Sequence, residues 1–162
     1  MIQAFSTVDL EIPPFPYLRM TQKSKYSKKA MQYAEWKRAL ALQTHFRFGH
    51  IPTFDKFKKI TFIIAMPKSW SVKKKKLMAC QPHRQTPDLS NLVKAFEDGL
   101  YPKTDSYIWK YQEIQKVWGA QNVPCGTIEV VYQNAIDEVT NETRLVDAAM
   151  NEVFDHVQKS IY

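Results

Sequence analysis

Glycine is scarce in this 162-residue chain, with four residues in all. Neither common glycine-rich phosphate loop, G-x-G-x-x-G or G-x-x-x-x-G-K-[ST], is present. Cysteine is scarcer still. Cys80 and Cys125 form no C-x-x-C pair, which excludes a zinc ribbon, a thioredoxin-like redox motif and a disulfide framework. Both read as free thiols in a reducing compartment. No second histidine stands at ligand spacing from His83, so zinc is not expected. Long apolar runs are missing too; none approaches the ~20 residues that a membrane-spanning helix needs. Met1-Ile-Gln-Ala-Phe-Ser6 carries no basic region followed by an apolar block, so no secretory signal is visible and a cytoplasmic protein is expected.

Charge is abundant and unevenly placed. Residues 1–84 hold 17 Lys and Arg against 4 Asp and Glu, whereas residues 85–162 hold 6 against 12. The basic half suits a polyanion, because Lys and Arg release condensed counterions on meeting phosphates. The acidic half holds the candidate metal ligands. The chain length fits a single domain over residues 1–162 with a substantial core.

Hydrophobic periodicity predicts a small mixed α/β (α+β) domain: a mixed sheet with helices packed on it. A first strand at 4–12 stops at Pro13-Pro14-Phe15-Pro16. A helix over 28–47 places Tyr33, Trp36 and Leu40 on one face, with Gly49 after it. Residues 58–66 alternate with apolar residues on both sides, as in a strand partly covered on both faces. A short helix is expected at 73–78. The next, at 88–100, has the apolar stripe Leu89, Leu92, Val93, Phe96, Leu100. Strands at 106–118 and 126–133 would form a hairpin. An extra C-terminal helix at about 143–160 would follow the core, which runs over about 4–133.

The chemistry concentrates in Thr86-Pro-Asp-Leu-Ser-Asn-Leu-Val-Lys94, with Lys73–Lys76 upstream and Asp105 downstream. Carboxylates bind divalent metals and lysines bind phosphate. Asp88 opens the helix, where it could equally cap free backbone N–H groups. Asn91, Lys94 and Asp98 recur at helical spacing opposite much of the stripe, and such a face can also be simply solvated. Lys94 could pair with Glu97 or Asp98 on its own helix. Trp70 and Trp109 can pack or stack on bases.

Several pieces occur together and in order. They are Met66-Pro-Lys-Ser-Trp-Ser71, the lysine run, Gln81-Pro-His83, Pro87-Asp-Leu-Ser-Asn-Leu-Val-Lys94, Asp98-x-Leu100, Asp105-Ser-Tyr-Ile-Trp109 and Lys116-x-Trp-Gly119. Over roughly residues 8–133 the chain resembles the RusA-type Holliday junction resolvases, small endodeoxyribonucleases of prophages and bacteria. The resemblance implies a RusA-like fold and a homodimer. It also implies symmetric, Mg²⁺- or Mn²⁺-dependent nicking of four-way DNA junctions in recombination and repair. Asp88 and Asp105 would hold the metal, with Asp98 an acid often seen on this helix, and Lys94 would face the phosphate. Lys68, Lys73, Lys74, Lys75, Lys76, His83, Arg84 and Asn91 would contact DNA.

One position departs from the family motif Asp-x-Asp-Asn-x-x-Lys. Ser90 stands where a second acid is usual, and a hydroxyl is a poor ligand for a hard cation. Glu97, Asp98 or Glu113 could compensate, the site could work weakly, or the protein could bind branched DNA without efficient cleavage. Charge alone would also fit a small RNA-binding domain, although no aromatic-strand RNA motif is present.

Overall fold

The computed structural model describes residues 5–110, 113–120 and 126–133. The chain divides into two compact units: Thr7–Tyr132, and Met1–Ser6 with Gln133–Tyr162. The expected C-terminal helix at 143–160 lies outside the described residues.

The elements run β1 (Phe5–Asp9), α1 (Lys28–Phe48), β2 (Phe57–Ile64), α2 (Val72–Met78), α3 (Leu89–Leu100), β3 (Glu113–Trp118) and β4 (Thr127–Gln133). Single 3-10 turns sit at Phe54–Lys56 and Asp105–Tyr107. Among the described residues the result is the expected mixed α+β arrangement, a four-stranded mixed sheet with three helices.

The hairpin expectation is overturned. The strand order is β1-β4-β2-β3, so β2 separates β3 from β4. It pairs parallel with β3, from Lys59 opposite Glu113 to Ile64 opposite Trp118, and antiparallel with β4. A parallel pair cannot be joined by a tight turn and needs a long crossover. Here the crossover is everything between Ile64 and Glu113, including α2 and α3. The expected strand at 106–118 also begins late, at Glu113, because a 3-10 turn occupies Asp105–Tyr107.

Local chemistry fixes the helix ends. Ser27 caps α1 by accepting from the Ala30 N–H, and Gly49 ends it in the left-handed region that glycine tolerates, φ 74°. Ser71 caps α2 by accepting from the Lys74 N–H. The stripes of α1 and α3 then face a common core with β2 and β4, containing Tyr33, Trp36, Leu40, Leu92, Phe96, Ile60, Phe62, Ile128 and Val130. The Phe96 ring meets those of Phe57 and Phe62, at 5.8 and 6.2 Å between centroids. Full burial of one such ring stabilises the fold by roughly 1.5–3 kcal/mol. A bulge between Phe57 and Lys59 shifts the register against β4 and turns Phe57 inward with Ile60 and Phe62.

The proline segment lies along this core. Trp36 Nε1 donates to the Pro13 carbonyl at 2.7 Å, and Phe15 packs on Tyr33 and Trp36. The Tyr17 N–H donates to the Asn91 carbonyl at 2.9 Å, tying the segment to the first turn of α3.

Gly126 precedes β4 where the backbones crowd. A Cβ there would overlap the Ile63 carbonyl oxygen and approach Pro14 Cδ to 3.0 Å. At Gly99 the Cβ would meet only the end of the Leu40 side chain, at 2.8 Å. Gly126→Ala should therefore destabilise the protein by about 1–3 kcal/mol, more than Gly99→Ala, in urea titrations of both variants.

Candidate functional site

The site is assembled by β3 and the two ends of the crossover. Beyond α2 the chain runs alongside β3. The Cys80 N–H donates to the Trp118 carbonyl, Trp118 N–H to Gln81, and His83 N–H to Lys116, at 2.9–3.1 Å. Residues 80–83 thus extend the sheet past its edge strand and deliver the next loop to α3.

Lys116 fixes that loop. Its Nζ donates to the carbonyls of Gln85, at 2.6 Å, and Pro87, at 2.5 Å. Lys116 belongs to the set of residues that carries the resemblance, yet its role could not be read from spacing. It bonds backbone atoms 29 and 31 positions away.

Asp88 follows immediately and occupies the N-cap position of α3, but its side chain makes no cap hydrogen bond. The capping alternative is thereby set aside. The carboxylate is exposed. Asn91, Lys94 and Asp98 succeed it along the helix. At about 100° per residue the four positions fall within a sector of roughly 120°, with Lys94 roughly 9 Å beyond Asp88 along the axis.

Lys94 is the centre of the observed contacts. Its Nζ lies 3.0 Å from Asp105 Oδ2 and 3.3 Å from Asp98 Oδ1. Its partners are Asp98 and Asp105, not Glu97, which is itself buried. Tyr33 on α1 donates its hydroxyl to Asp98 Oδ2 at 3.3 Å, a contact the sequence did not suggest. So α3 and the Asp105 turn meet at one ammonium group, and α1 joins them through Tyr33 and Asp98.

The electrostatics follow. The hydrogen bond and charge of Lys94 hold the Asp105 carboxyl below its ordinary range. Hydrogen bonding to Asp105, then to Asp98, raises the Lys94 ammonium above the usual lysine range despite some desolvation. Burial, reinforced by Asp98, pushes the Tyr33 phenol up. All three groups keep their ordinary charge states at neutral pH.

The other expected residues divide. His83 is buried, with 4% of its surface exposed, and its ring lies 4.2 Å from that of Trp118. Burial and Lys116 lower its pKa, so the imidazole is neutral at pH 7 and Nδ1 accepts from the Gln85 N–H. Its placement is that of a packed loop residue. Arg84 and Lys68 are exposed. Four consecutive helical lysines fan through roughly 300°, so Lys73–Lys76 cannot all face one surface. Lys74 lies over the Trp70 ring at 4.1 Å, and Lys75 bonds the Lys68 carbonyl at 3.3 Å. Lys73 and Lys76 are one turn apart and exposed. Trp70 packs against Trp118, whereas Trp109 is exposed.

Ser90 lies exposed on the first turn of α3. Among the acids that could replace its missing charge, Glu113 pairs with Lys59 at 2.7 Å and Glu97 is buried. Among the described residues, no three His, Cys, Asp or Glu side chains gather to hold a metal ion. The donor chemistry nevertheless fits a hard divalent cation. Mg²⁺ commonly takes only one or two protein carboxylates and completes its shell with water and substrate phosphate.

A family model described as Endodeoxyribonuclease RusA matches residues 12–126. The chain belongs to the RusA endodeoxyribonuclease family. The match spans α1 to β3 and every residue discussed above as a site candidate. No curated protein matches the chain, and no solved structure does. Membership gives a Holliday junction resolvase nuclease in general terms, of a kind that depends on divalent metal. No described helix is long and apolar enough to cross a membrane.

The Lys94–Asp105 pair makes a pH prediction. Because Asp105 is depressed in the folded state, its stabilising contribution is complete above its unfolded pKa. It is lost as pH falls through the folded value. Lys94→Met should move the Asp105 carboxyl up toward the ordinary carboxylate range, as followed by carbon-13 NMR of the carboxylates without metal.

Proposed function

We propose that this protein resolves four-way DNA junctions as a homodimer, nicking two strands symmetrically by Mg²⁺- or Mn²⁺-dependent phosphodiester hydrolysis in recombination and repair. The observation that supports this reading best is the cluster on α3. One lysine is held between Asp98 and Asp105, on the helix face that begins with an Asp88 carboxylate not used for capping.

Asp88 and Asp105 would hold the cation, with Asp98 beside them. When bound, a divalent cation lowers the pKa of a coordinated water and polarises the phosphate. The chain's own residues supply the rest. Lys116 anchors the carbonyls before Asp88 and so sets where that carboxylate stands. Tyr33 orients Asp98. Lys94, fully protonated, offsets the mutual repulsion of Asp98 and Asp105 in the free protein. With DNA bound it places positive charge where the phosphate gains negative charge in the transition state. Lys68, Lys73, Lys76 and Arg84 would contact the junction backbone, contacts that position DNA without reading sequence.

A second reading rests on Ser90. Ser90 adds no charge, and Asp98 is already engaged by Lys94 and Tyr33, so the protein would bind branched junctions while cutting weakly. The two readings separate in one series, using a synthetic four-way junction titrated with Mg²⁺ and Mn²⁺. Asp88→Asn should lower nicking by at least about a hundredfold while junction affinity stays near wild type. Ser90→Asp should raise nicking at low Mg²⁺. Wild-type binding without metal-dependent nicking, restored by Ser90→Asp, would favour the second reading.

Phosphate contacts from α2 are measurable separately. Replacing Lys73 and Lys76 by Gln should reduce the slope of log affinity against log salt by roughly 2, with no change in junction preference over duplex. Fluorescence anisotropy between 50 and 200 mM salt, on the order of the range where such slopes are resolved, reads this directly.

A further inference from the structure

The turn that carries Asp105 faces two ways. Its carboxylate is turned to Lys94, while the residues around it line a separate cavity of about 390 Å³. Two of these are large aromatics in an unusual state: Tyr107 is 79% exposed and Trp109 is 82% exposed. Aromatic rings of this size are normally mostly buried, so two adjacent exposures bordering one cavity need a reason.

The cavity floor is rigid. Phe54 and Tyr101 are both buried and meet with centroids 5.9 Å apart, and the Tyr101 hydroxyl donates to the Pro52 carbonyl at 2.6 Å. The mouth carries the exposed rings and a cation, Lys110, whose Nζ lies 6.0 Å from the Trp109 ring centroid. Asp55, Thr53 and Thr104 are also on the lining. Flat π-faces and a cation for a flanking phosphate match the chemistry of a nucleobase with its backbone. An aliphatic peptide side chain would leave the cation without purpose.

We propose that this cavity receives one unpaired base of the DNA, stacked on Trp109 or Tyr107, beside the Asp105 turn. The inference rests on the junction-nuclease reading above for its substrate. A base pair at a branch point lacks one stacking neighbour, so turning its base outward costs less than in continuous duplex. Engagement of that base would fix the strand relative to the carboxylates. The pocket would thereby favour branched over linear DNA.

The test uses the full chain without divalent metal, so that nothing is cut. Probes are a synthetic four-way junction, a linear duplex of the same arms and a single-stranded oligonucleotide. Trp36 and Trp118 are buried and Trp70 packs on Trp118, so Trp109 dominates any quenching by DNA. The expected result is quenching by junction and by single strand that disappears in Trp109→Phe, with affinity nearly kept. Trp109→Ala with Tyr107→Ala should weaken junction binding about tenfold to a hundredfold and leave duplex binding within about twofold. These residues are exposed, so circular dichroism and melting temperature should match wild type. Equal losses on junction and duplex, or unchanged affinity with no quenching by either DNA, would overturn the proposal. If the wild type shows no preference for the junction, the junction reading fails. The single-strand quenching then still decides whether the cavity takes a base.

Discussion

The parallel pairing of β2 with β3 is the constraint on which the site depends. Two parallel neighbours cannot be joined by a turn, so the chain must leave the sheet and come back. Most of the candidate site lies in that excursion or at its return: α2, the loop to Asp88, α3, the Asp105 turn and Lys116. Because both ends of the excursion are fixed by adjacent strands, its middle is held in register with the sheet. The bonds of residues 80–83 to β3 shorten the free part further. Lys116, from the strand that ends the excursion, reaches the loop that precedes α3.

Much of this was legible from the residues. The helices lie within a residue or so of the positions their apolar periodicity indicated, because stripes such as Leu92, Phe96 and Leu100 have only one way to be buried. The central strand was legible too. Apolar residues on both sides of 58–66 belong to a strand covered on both faces for part of its length, and β2 occupies that segment. What failed was the partner choice of β3 and β4. Two neighbouring strands with a proline and a glycine between them suggest a hairpin, and local pattern contains no information about a third strand passing between them. Topology is decided by burial of β2 on both edges, a global quantity.

The site divides in the same way. Residues that share a helix face, Asn91, Lys94 and Asp98, could be grouped from periodicity, and Asp105 from the family motif. The contacts that organise them could not. Tyr33 is 65 positions from Asp98, and the Lys116 bonds run to main-chain carbonyls that leave no trace in side-chain identity. The arrangement of the lysine run was not legible either. A dense block of charge looks like one surface when written as letters, but a helix distributes it around its circumference. His83 likewise was grouped with the DNA contacts because of its type and place. Its burial beside Trp118 is a packing fact, invisible without the fold.

The side chain of Asp88 gives α3 no cap. Most acids at that position add to helix stability, so selection for folding and selection for chemistry act on them together. Here the two are uncoupled. The helix end is set by its neighbours, and the carboxylate contributes little to whether the chain folds. Under the proposed role for Asp88, the position answers to the reaction alone, and drift to another small polar residue would leave a well-folded protein that had silently lost its activity.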